Sequence, residues 1–292
     1  MATSAVKVGL LGYGYWGKNL ARALHQLGVL GAICDTDFDR AEQARADYNL
    51  SIPVVSTGAD ALMRVVGVER VAIATPPETH YALAKEALTR GLGVFVEKPL
   101  ATKYKEAREL EDLARTRGLP LLVGHIYLHC PGINMMPVPV GCADLYISLL
   151  NPEGPPNGIN RDITWAALPH AASLALLFFS AYLQVAWVIR DEHRIRAKLE
   201  YWNGSQVFID VGDFTGRQER KVELRDGPVV SRYDGKEPNQ CVFFTSTGWQ
   251  REGIGESKEP LLLEMEQFLS YDGVDPLGAK VVKLVEEIIQ CG

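Results

Sequence analysis

The first forty residues contain the pattern that most restricts how this chain can fold. An apolar run, Val6–Leu11, leads into Gly12-x-Gly14-x-x-Gly17, and a helical stretch and a second apolar run follow. In such a pattern the first glycine permits a tight turn, the second lets a pyrophosphate approach the backbone, and the third lets helix and strand pack closely. The second run ends in Asp35, where a carboxylate accepts adenosine ribose hydroxyls. The sequence therefore predicts a dinucleotide site that prefers NAD to NADP. We expect no metal site.

Composition limits the classes of protein to consider. At 292 residues, with 47% hydrophobic and 23% charged residues, the chain is long enough for two globular domains. Its net charge of -6 argues against general binding to nucleic acid or to an anionic membrane, since both need a basic surface. The five cysteines are scattered, odd in number and form no CxxC pair, which is typical of free, buried thiols in the cytoplasm.

One long uncharged segment raises the question of a membrane span. Residues 163–189 contain no Asp, Glu, Lys or Arg. Pro169 and His170 interrupt the segment, and polar residues are spread along it, so we expect a buried helix running into a buried strand. The N-terminus lacks the pattern of a signal peptide, and we expect a cytoplasmic protein.

Up to about Val123, short apolar strands alternate with helices, which predicts a parallel, doubly wound α/β sheet of the Rossmann type. The predicted strands are Val6–Leu11, Leu30–Cys34, Pro53–Val55, Arg70–Ala74, Gly93–Val96 and Pro120–Val123. The predicted helices are Lys18–Leu27, Asp39–Tyr48, Ala59–Val65, Thr79–Thr89 and Lys103–Arg117.

After Gly124 the pattern changes. One strand (Ala143–Leu150) and one helix (Pro169–Tyr182) precede alternating segments in residues 184–247, which predict a mostly antiparallel sheet. Two helices, Lys258–Ser270 and Pro276–Gln290, end the chain. We therefore predict an NAD-binding Rossmann domain over residues 1–123, and an α+β domain for substrate binding and oligomerisation over residues 124–292.

Two motifs stand at predicted strand ends, where open α/β sheets place ligands. The fourth strand runs into Ala74-Thr75-Pro76-Pro77-Glu78-Thr79-His80, and the fifth ends in Glu97-Lys98-Pro99. We expect Thr75 and Pro76 to line the path to the nicotinamide, with His80 as a polar residue at the helix start beside the cofactor. For the first motif the alternative is a proline turn capped by Thr79. For the second, it is that Lys98 is a solvated surface lysine.

Together these motifs resemble the glucose-fructose oxidoreductase / inositol dehydrogenase (Gfo/Idh/MocA) family, which pairs a GxGxxG turn with TPxxxH, EKP and a GH segment, here Gly124-His125. The resemblance implies that Lys98 contacts the nicotinamide ribose and the reacting hydroxyl, and that Glu97 positions Lys98. It also implies an NAD(P)-dependent oxidoreductase acting on CH-OH groups. Tyr15 and Trp16 are then expected at the cofactor, over the pyrophosphate.

The segment Asn160–Ser173 is similar to the family stretch W-D-L-A-P-H-D, whose histidine transfers a proton, and this implies that role for His170. Imidazole suits the role because its ordinary pKa lies near neutrality. The chain departs from the pattern at two positions, where Ala166 and Ala171 stand in place of frequent aspartates. Their loss leaves the orientation of His170 without its usual carboxylates.

Within the family, the stretch from Gly12 to Asn19 and the segment Glu259–Glu264 are similar to sugar-nucleotide 3-dehydrogenases acting on UDP-N-acetylglucosamine-like substrates. The residues expected to contact substrate are Lys98, His125, Arg161, Trp165 and His170; for Arg161, a surface arginine is an equal alternative.

The prediction is an NAD-dependent oxidoreductase that interconverts a secondary alcohol and a ketone on a sugar or nucleotide-linked sugar. The alternatives are a ketoreductase or imine reductase of amino-sugar or antibiotic biosynthesis, and an NAD-binding regulatory protein with reduced catalysis. We expect a homo-oligomer, a dimer or tetramer, because the second sheet carries apolar residues on more than one face.

Overall fold

A six-stranded parallel sheet organises the first part of the chain. The computed structural model describes residues 6–48, 53–55, 59–153, 163–179, 183–255 and 257–292. The strands lie in the order β3-β2-β1-β4-β5-β6. Their bounds are β1 Lys7–Leu11, β2 Leu30–Cys34, β3 Val54–Val55, β4 Val68–Ile73, β5 Gly93–Glu97 and β6 Leu121–Gly124. The predicted doubly wound sheet is confirmed, and its order reverses between β1 and β4, the kind of point where such sheets bind ligands.

Helices connect these strands, as the alternating pattern predicts. They are α1 Tyr15–Gln26, α2 Phe38–Asp47, α3 Ala59–Met63, α4 Pro77–Thr89 and α5 Tyr104–Arg117. Two of them begin two or three residues earlier than predicted: α1 at Tyr15, directly after Gly14, and α4 at Pro77, because proline fits the first helical turn, where no backbone N–H partner is needed. Thr79 therefore lies inside the first turn of α4, and the cap position is Pro76.

An eight-stranded sheet organises the second part, in the order β14-β13-β12-β11-β7-β10-β9-β8. The strands are β7 Ala143–Leu150, β8 Leu183–Arg190, β9 Arg194–Tyr201, β10 Gln206–Gly212, β11 Glu219–Asp226, β12 Val229–Asp234, β13 Gln240–Thr245 and β14 Gly248–Gly253. Every pairing is antiparallel except β7 with β10, which confirms a mostly antiparallel sheet. In the central strands alternate apolar side chains are buried, and helix α8 (Leu168–Phe178) packs against β7 and β10.

The remaining helices are short or lie at the end of the chain. A 3-10 turn (Ile126–His129) and α6 Pro131–Asn134 follow the first sheet, and α7 Ile163–Ala166 precedes α8. The last two helices are α9 Pro260–Ser270 and α10 Gly278–Cys291.

The chain divides into two compact units that do not follow a single boundary. The first comprises residues 1–124 and 261–279, and the second residues 125–260 and 280–292. Residues 261–279, which a boundary at 123/124 assigns to the second domain, thus join the first unit. There the Arg70 guanidinium donates to the carbonyls of Phe268 and Tyr271, the rings of Phe95 and Phe268 lie 5.6 Å apart, and Val123 N donates to Asp275 at 3.1 Å.

The uncharged segment differs from its prediction in one respect. It forms α8 and β8 as expected, but β8 is not a buried strand: Trp187 and Ile189 are exposed. The prediction was wrong because β8 is an edge strand that pairs with β9 alone. Among the described residues, no helix is both long and apolar enough to cross a membrane. The five cysteines, all among the described residues, form no disulfide with one another, but Cys142 and Cys291 are exposed rather than buried.

Candidate active site

The glycine turn has a shape that side chains would block. Gly12 has a φ of +95°, and a Cβ on it would lie 2.6 Å from the carbonyl oxygen of Ala74. A Cβ on Gly17 would collide with the carbonyl oxygen of Gly12, so α1 packs directly on the turn. At Gly14, by contrast, the nearest atom is Arg40 Nη1 at 3.7 Å. The backbone at Gly14 is thus open to a ligand, which is the fit that a pyrophosphate beside a helix N-terminus requires.

The Asp35 carboxylate is held firmly at the end of β2. It is 7% exposed and accepts hydrogen bonds from the backbone amides of Tyr13, at 2.7 Å, and Asp37, at 2.9 Å. Arg40 Nε lies 3.5 Å from it, and Arg40 Nη2 pairs with Asp37 at 3.2 Å. Sequence reasoning missed Arg40; its signal is a basic residue in the first turn of the helix that follows Asp35. The arginine matters because a nearby guanidinium accommodates the 2′-phosphate of NADP.

The turn after β4 is fixed by its own side chains. Thr75 and Thr79 share a hydroxyl hydrogen bond of 2.6 Å, and the Thr79 hydroxyl donates to the Pro76 carbonyl at 2.7 Å. His80 is 1% exposed, with Nδ1 2.7 Å from the carbonyl oxygen of Pro99 and Nε2 2.9 Å from that of Thr75. Both ring nitrogens of His80 therefore face protein carbonyls.

Glu97 links the glycine turn to the Glu-Lys-Pro motif. Its Oε1 accepts a hydrogen bond from the indole Nε1 of Trp16, a residue in the first turn of α1. Burial raises the pKa of Glu97 to about 7, although the positive charge of Lys98 and the Trp16 hydrogen bond act in the opposite direction. Gly124 leaves room for the carboxyl, since a Cβ there would lie 3.0 Å from Glu97 Oε1. The half-buried Lys98 therefore projects from a strand end that a buried carboxyl anchors.

A second buried carboxyl belongs to the same unit. Glu264, in α9, is 0% exposed, and its pKa is raised by burial and by the negative charges of Glu97 and Asp275. The contact between Phe95 and Phe268 explains why it lies near Glu97: residues 95 and 97 share a strand face, and residues 264 and 268 share a helix face. The segment Glu259–Glu264 is similar to sugar-nucleotide 3-dehydrogenases, but no pattern in the sequence predicts a role for Glu264.

In the second unit, His170 is the third residue of α8 and half-buried. The ring of Tyr127 meets its imidazole edge-on, with centroids 5.2 Å apart, and Ser173 Oγ donates to the His170 carbonyl at 2.9 Å. Burial raises the pKa of Tyr127 to about 12, so its hydroxyl stays protonated at neutral pH. Sequence reasoning missed Tyr127, because nothing local distinguishes it from a packing residue.

The other predicted substrate residues are spread through the second unit. His125 is buried; burial, together with the charge of His125, lowers the pKa of His129 to about 4. Trp165 is half-buried in α7, and Arg161 lies outside the described residues. The structure thus brings His170 together with Tyr127, whereas Lys98 belongs to the first unit with the glycine turn.

The two positions that lack aspartate differ in their surroundings. Ala171 is fully buried, and Ala166 is half-buried at the end of α7. A carboxylate at residue 171 would be desolvated, so only residue 166 has space for one near solvent.

This geometry defines a class: a Rossmann protein with a dinucleotide site and a lysine at the end of its fifth strand. Residues 6–125 match the oxidoreductase family with an NAD-binding Rossmann fold, GFO_IDH_MocA. Over this NAD-binding part the chain matches the Gfo/Idh/MocA oxidoreductases, which confirms the resemblance found in the motifs.

Individual relatives extend the comparison. The UDP-N-acetylglucosamine 3-dehydrogenase of Acidithiobacillus ferrooxidans is 29% identical over 179 residues, 60% of this chain and 55% of that protein. The uncharacterised oxidoreductase YdgJ of Escherichia coli is 34% identical over 126 residues, 41% of this chain and 34% of that protein. The matches therefore span about half, or less, of the length of these relatives.

Two solved structures resemble the whole chain. The UDP-N-acetylglucosamine 3-dehydrogenase GnnA from Acidithiobacillus ferrooxidans has a TM-score of 0.85 at 21% identity, covering 99% of this chain and 98% of its own. KijD10, a 3-ketoreductase from Actinomadura kijaniata in complex with NADP and TDP-benzene, has a TM-score of 0.85 at 20% identity, with the same coverage. These likenesses confirm the two-sheet fold.

Proposed function

We propose that the chain is an NAD-dependent oxidoreductase that interconverts a secondary alcohol and a ketone on a nucleotide-linked sugar. The observation that carries this proposal is the position of Lys98, which follows a buried Glu97 tied by Trp16 to the glycine turn. A lysine anchored in this way shares a rigid frame with the dinucleotide cradle. A solvated surface lysine would need no such anchor.

The first unit binds the cofactor and orients the reacting hydroxyl. Gly12, Gly14 and Gly17 leave the pyrophosphate path open, Asp35 accepts ribose hydroxyls, and Thr75 with Pro76 lines the nicotinamide side. Tyr15, which is exposed, covers the pyrophosphate. When bound, NAD supplies the hydride acceptor, which is the difficult part of the chemistry.

Lys98 and His170 have different roles at the substrate hydroxyl. Lys98 stabilises the negative charge on its oxygen, and His170 transfers its proton. In the oxidation direction the imidazole of His170 takes the hydroxyl proton, and the Lys98 ammonium stabilises the alkoxide from whose carbon the hydride leaves. Reduction reverses both transfers, with His170 returning the proton to the oxygen. The T-shaped contact with the Tyr127 ring holds the plane of the imidazole.

The substrate class rests on the relatives and on the second unit. One relative is named for UDP-N-acetylglucosamine, and the KijD10 structure contains TDP-benzene. We assign sugar and nucleotide contacts to His125, Arg161 and Trp165. Cysteines that form no disulfide among the described residues fit a reducing compartment such as the cytoplasm, and we propose a homo-oligomer formed through the second sheet.

The experiment is a turnover screen that follows NADH absorbance with NAD and a panel of UDP- and TDP-linked hexoses, run in both directions. Turnover of at least one nucleotide sugar, well above that of the free hexoses, supports the proposal. The second candidate, a regulatory NAD-binding protein, is favoured by Ala166 and Ala171, and it predicts NADH binding without turnover of any member of the panel.

A further inference from the structure

His80 joins the two strand ends on which the proposed nicotinamide site depends. Its ring nitrogens lie 2.7 Å from the Pro99 carbonyl oxygen and 2.9 Å from that of Thr75. Thr75 belongs to the turn after β4, and Pro99 directly follows Lys98, which in turn follows β5. A single buried imidazole thus bridges the backbone of the turn and the backbone beside the lysine.

Two acceptors facing one imidazole limit how it is protonated. A neutral imidazole has one N–H and donates to only one carbonyl. Burial is the largest influence on the pKa of His80 and lowers it, and the positive charge of Lys98 acts in the same direction. A neutral His80 ring therefore donates its one N–H either to the Thr75 carbonyl or to the Pro99 carbonyl, but not to both.

The contacts favour Pro99 as the acceptor. The Nδ1 contact is the shorter of the two, and it is buried, whereas the Nε2 contact is only part-buried. A carbonyl left without a donor costs more where water cannot reach it. The proton is therefore better placed on Nδ1, with the Thr75 carbonyl at the more accessible end.

We propose that His80 is a positioning residue for Lys98: its Nδ1–H holds the Pro99 carbonyl and so fixes the backbone from which the lysine projects. The proposal rests on the catalytic role proposed for Lys98. Both ring nitrogens of His80 face protein carbonyls, so its effect on the lysine acts through the backbone. Its effect is geometric, since a displacement of about 1 Å in a reacting group can cost on the order of a hundredfold in rate.

The first test needs no activity. In protein labelled with ¹⁵N-histidine, the nitrogen chemical shifts of His80 report which ring nitrogen carries a proton. We expect a protonated Nδ1, whether or not Nε2 is also protonated. A His80 ring protonated at Nε2 alone overturns the proposal.

The second test compares two variants that each keep one bond. The amide nitrogen of asparagine falls near Nδ1 of histidine, and that of glutamine near Nε2, so His80→Asn retains a donor for Pro99 and His80→Gln a donor for Thr75. We expect His80→Asn to keep kcat within about fivefold and His80→Gln to lose about tenfold or more, because only the latter frees the lysine backbone. The Kd for NADH should stay within about threefold in both.

The variants serve as controls for each other, because each loses one of the two carbonyl contacts of His80, and thermal melting checks that both fold. Equal losses of kcat, or a greater loss in His80→Asn, overturn the proposal. If wild-type protein turns over no nucleotide sugar, the proposed function fails, and the chemical shifts still decide which carbonyl His80 holds.

Discussion

The Trp16 indole donates a hydrogen bond to the Glu97 carboxyl, which joins the first turn of α1 to the end of β5. Eighty-one residues separate the two partners along the chain. The bond places the glycine turn and the Glu-Lys-Pro motif in one frame, so that the cofactor cradle and the lysine keep a fixed relation. The Glu97 carboxyl also has an unusual pKa, because burial raises it to about 7.

Glu97 should make stability depend on pH. Its pKa in the folded protein lies above the ordinary 4.5, so its contribution is fully present below about pH 4.5 and is lost as pH rises through about 7. Glu97→Gln removes this effect. The unfolding free energy of wild type minus that of Glu97→Gln should therefore fall by roughly 3 kcal/mol between about pH 4.5 and pH 8, measured by urea denaturation.

The matched control is Glu109→Gln, at an exposed carboxyl whose pKa is lowered by its hydrogen bond to Lys85. The unfolding free energy of wild type minus that of Glu109→Gln should not fall over the same pH interval. A pH-independent difference between wild type and Glu97→Gln would show that folding does not raise the pKa of Glu97.

Wild-type protein should bind NADH more tightly than NADPH, because Asp35 repels a 2′-phosphate and accepts ribose hydroxyls. Arg40, 3.5 Å from Asp35, should limit the preference. We therefore expect Arg40→Ala to weaken NADPH binding by about tenfold and NADH binding much less, measured by calorimetric titration. Arg45→Ala is the control, since Arg45 bonds Glu42 and the Val54 carbonyl instead. Tighter NADPH than NADH binding by wild type would mean that Arg40 outweighs Asp35.

Removing either proposed catalytic group should lower turnover without releasing the cofactor. Lys98→Ala and His170→Ala should each reduce kcat by roughly a hundredfold or more, with the Kd for NADH nearly unchanged. Lys103→Ala and His193→Ala, at sites outside the proposed machinery, should retain turnover. If both catalytic variants turn over a verified substrate like wild type, the assignment of the pair is wrong.

Ala166→Asp tests whether the missing carboxylate matters. Ala166 is half-buried, so an aspartate there keeps contact with water, whereas Ala171 is fully buried. If the chain retains the chemistry of its family, the aspartate should preserve or raise kcat by orienting the imidazole of His170. A clear fall in kcat in a folded variant would indicate changed chemistry at this position. Ala171→Asp, the control, should lower the melting temperature, since it buries a charge.

The outer face of the second sheet should form the interface of a homo-oligomer. Tyr146 stacks on Phe208 with ring centroids 4.8 Å apart, and Trp187, Phe244 and Trp249 are exposed. Light scattering should give a dimer or larger species, and Phe208→Glu should shift it to monomer because a charge opposes burial of the face. Trp202→Glu changes an exposed tryptophan in the turn after β9 and should leave the assembly intact. A wild-type monomer at micromolar concentration would contradict the prediction.

Patterns that extend over only a few residues of the sequence determined the parallel sheet of this protein and the strand ends that carry Asp35 and Lys98. Apolar runs, helix-stop glycines and the spacing of Gly12, Gly14 and Gly17 were enough to predict the parallel sheet, because each signal acts over a few residues of chain. Strand ends placed Asp35 and Lys98 at the ligand-binding edge for the same reason.

The tertiary structure decided what depends on residues far apart in the chain. Edge strands and central strands have similar apolar patterns, so the exposure of β8 followed only from its place in the sheet. Residues 261–279 joined the first unit through contacts with Arg70 and Phe95, which brought Glu264 toward Glu97. The partners of His170 and His80 likewise come from other elements of their own units. No local pattern encodes such pairings, because packing free energy is gained only once distant segments meet.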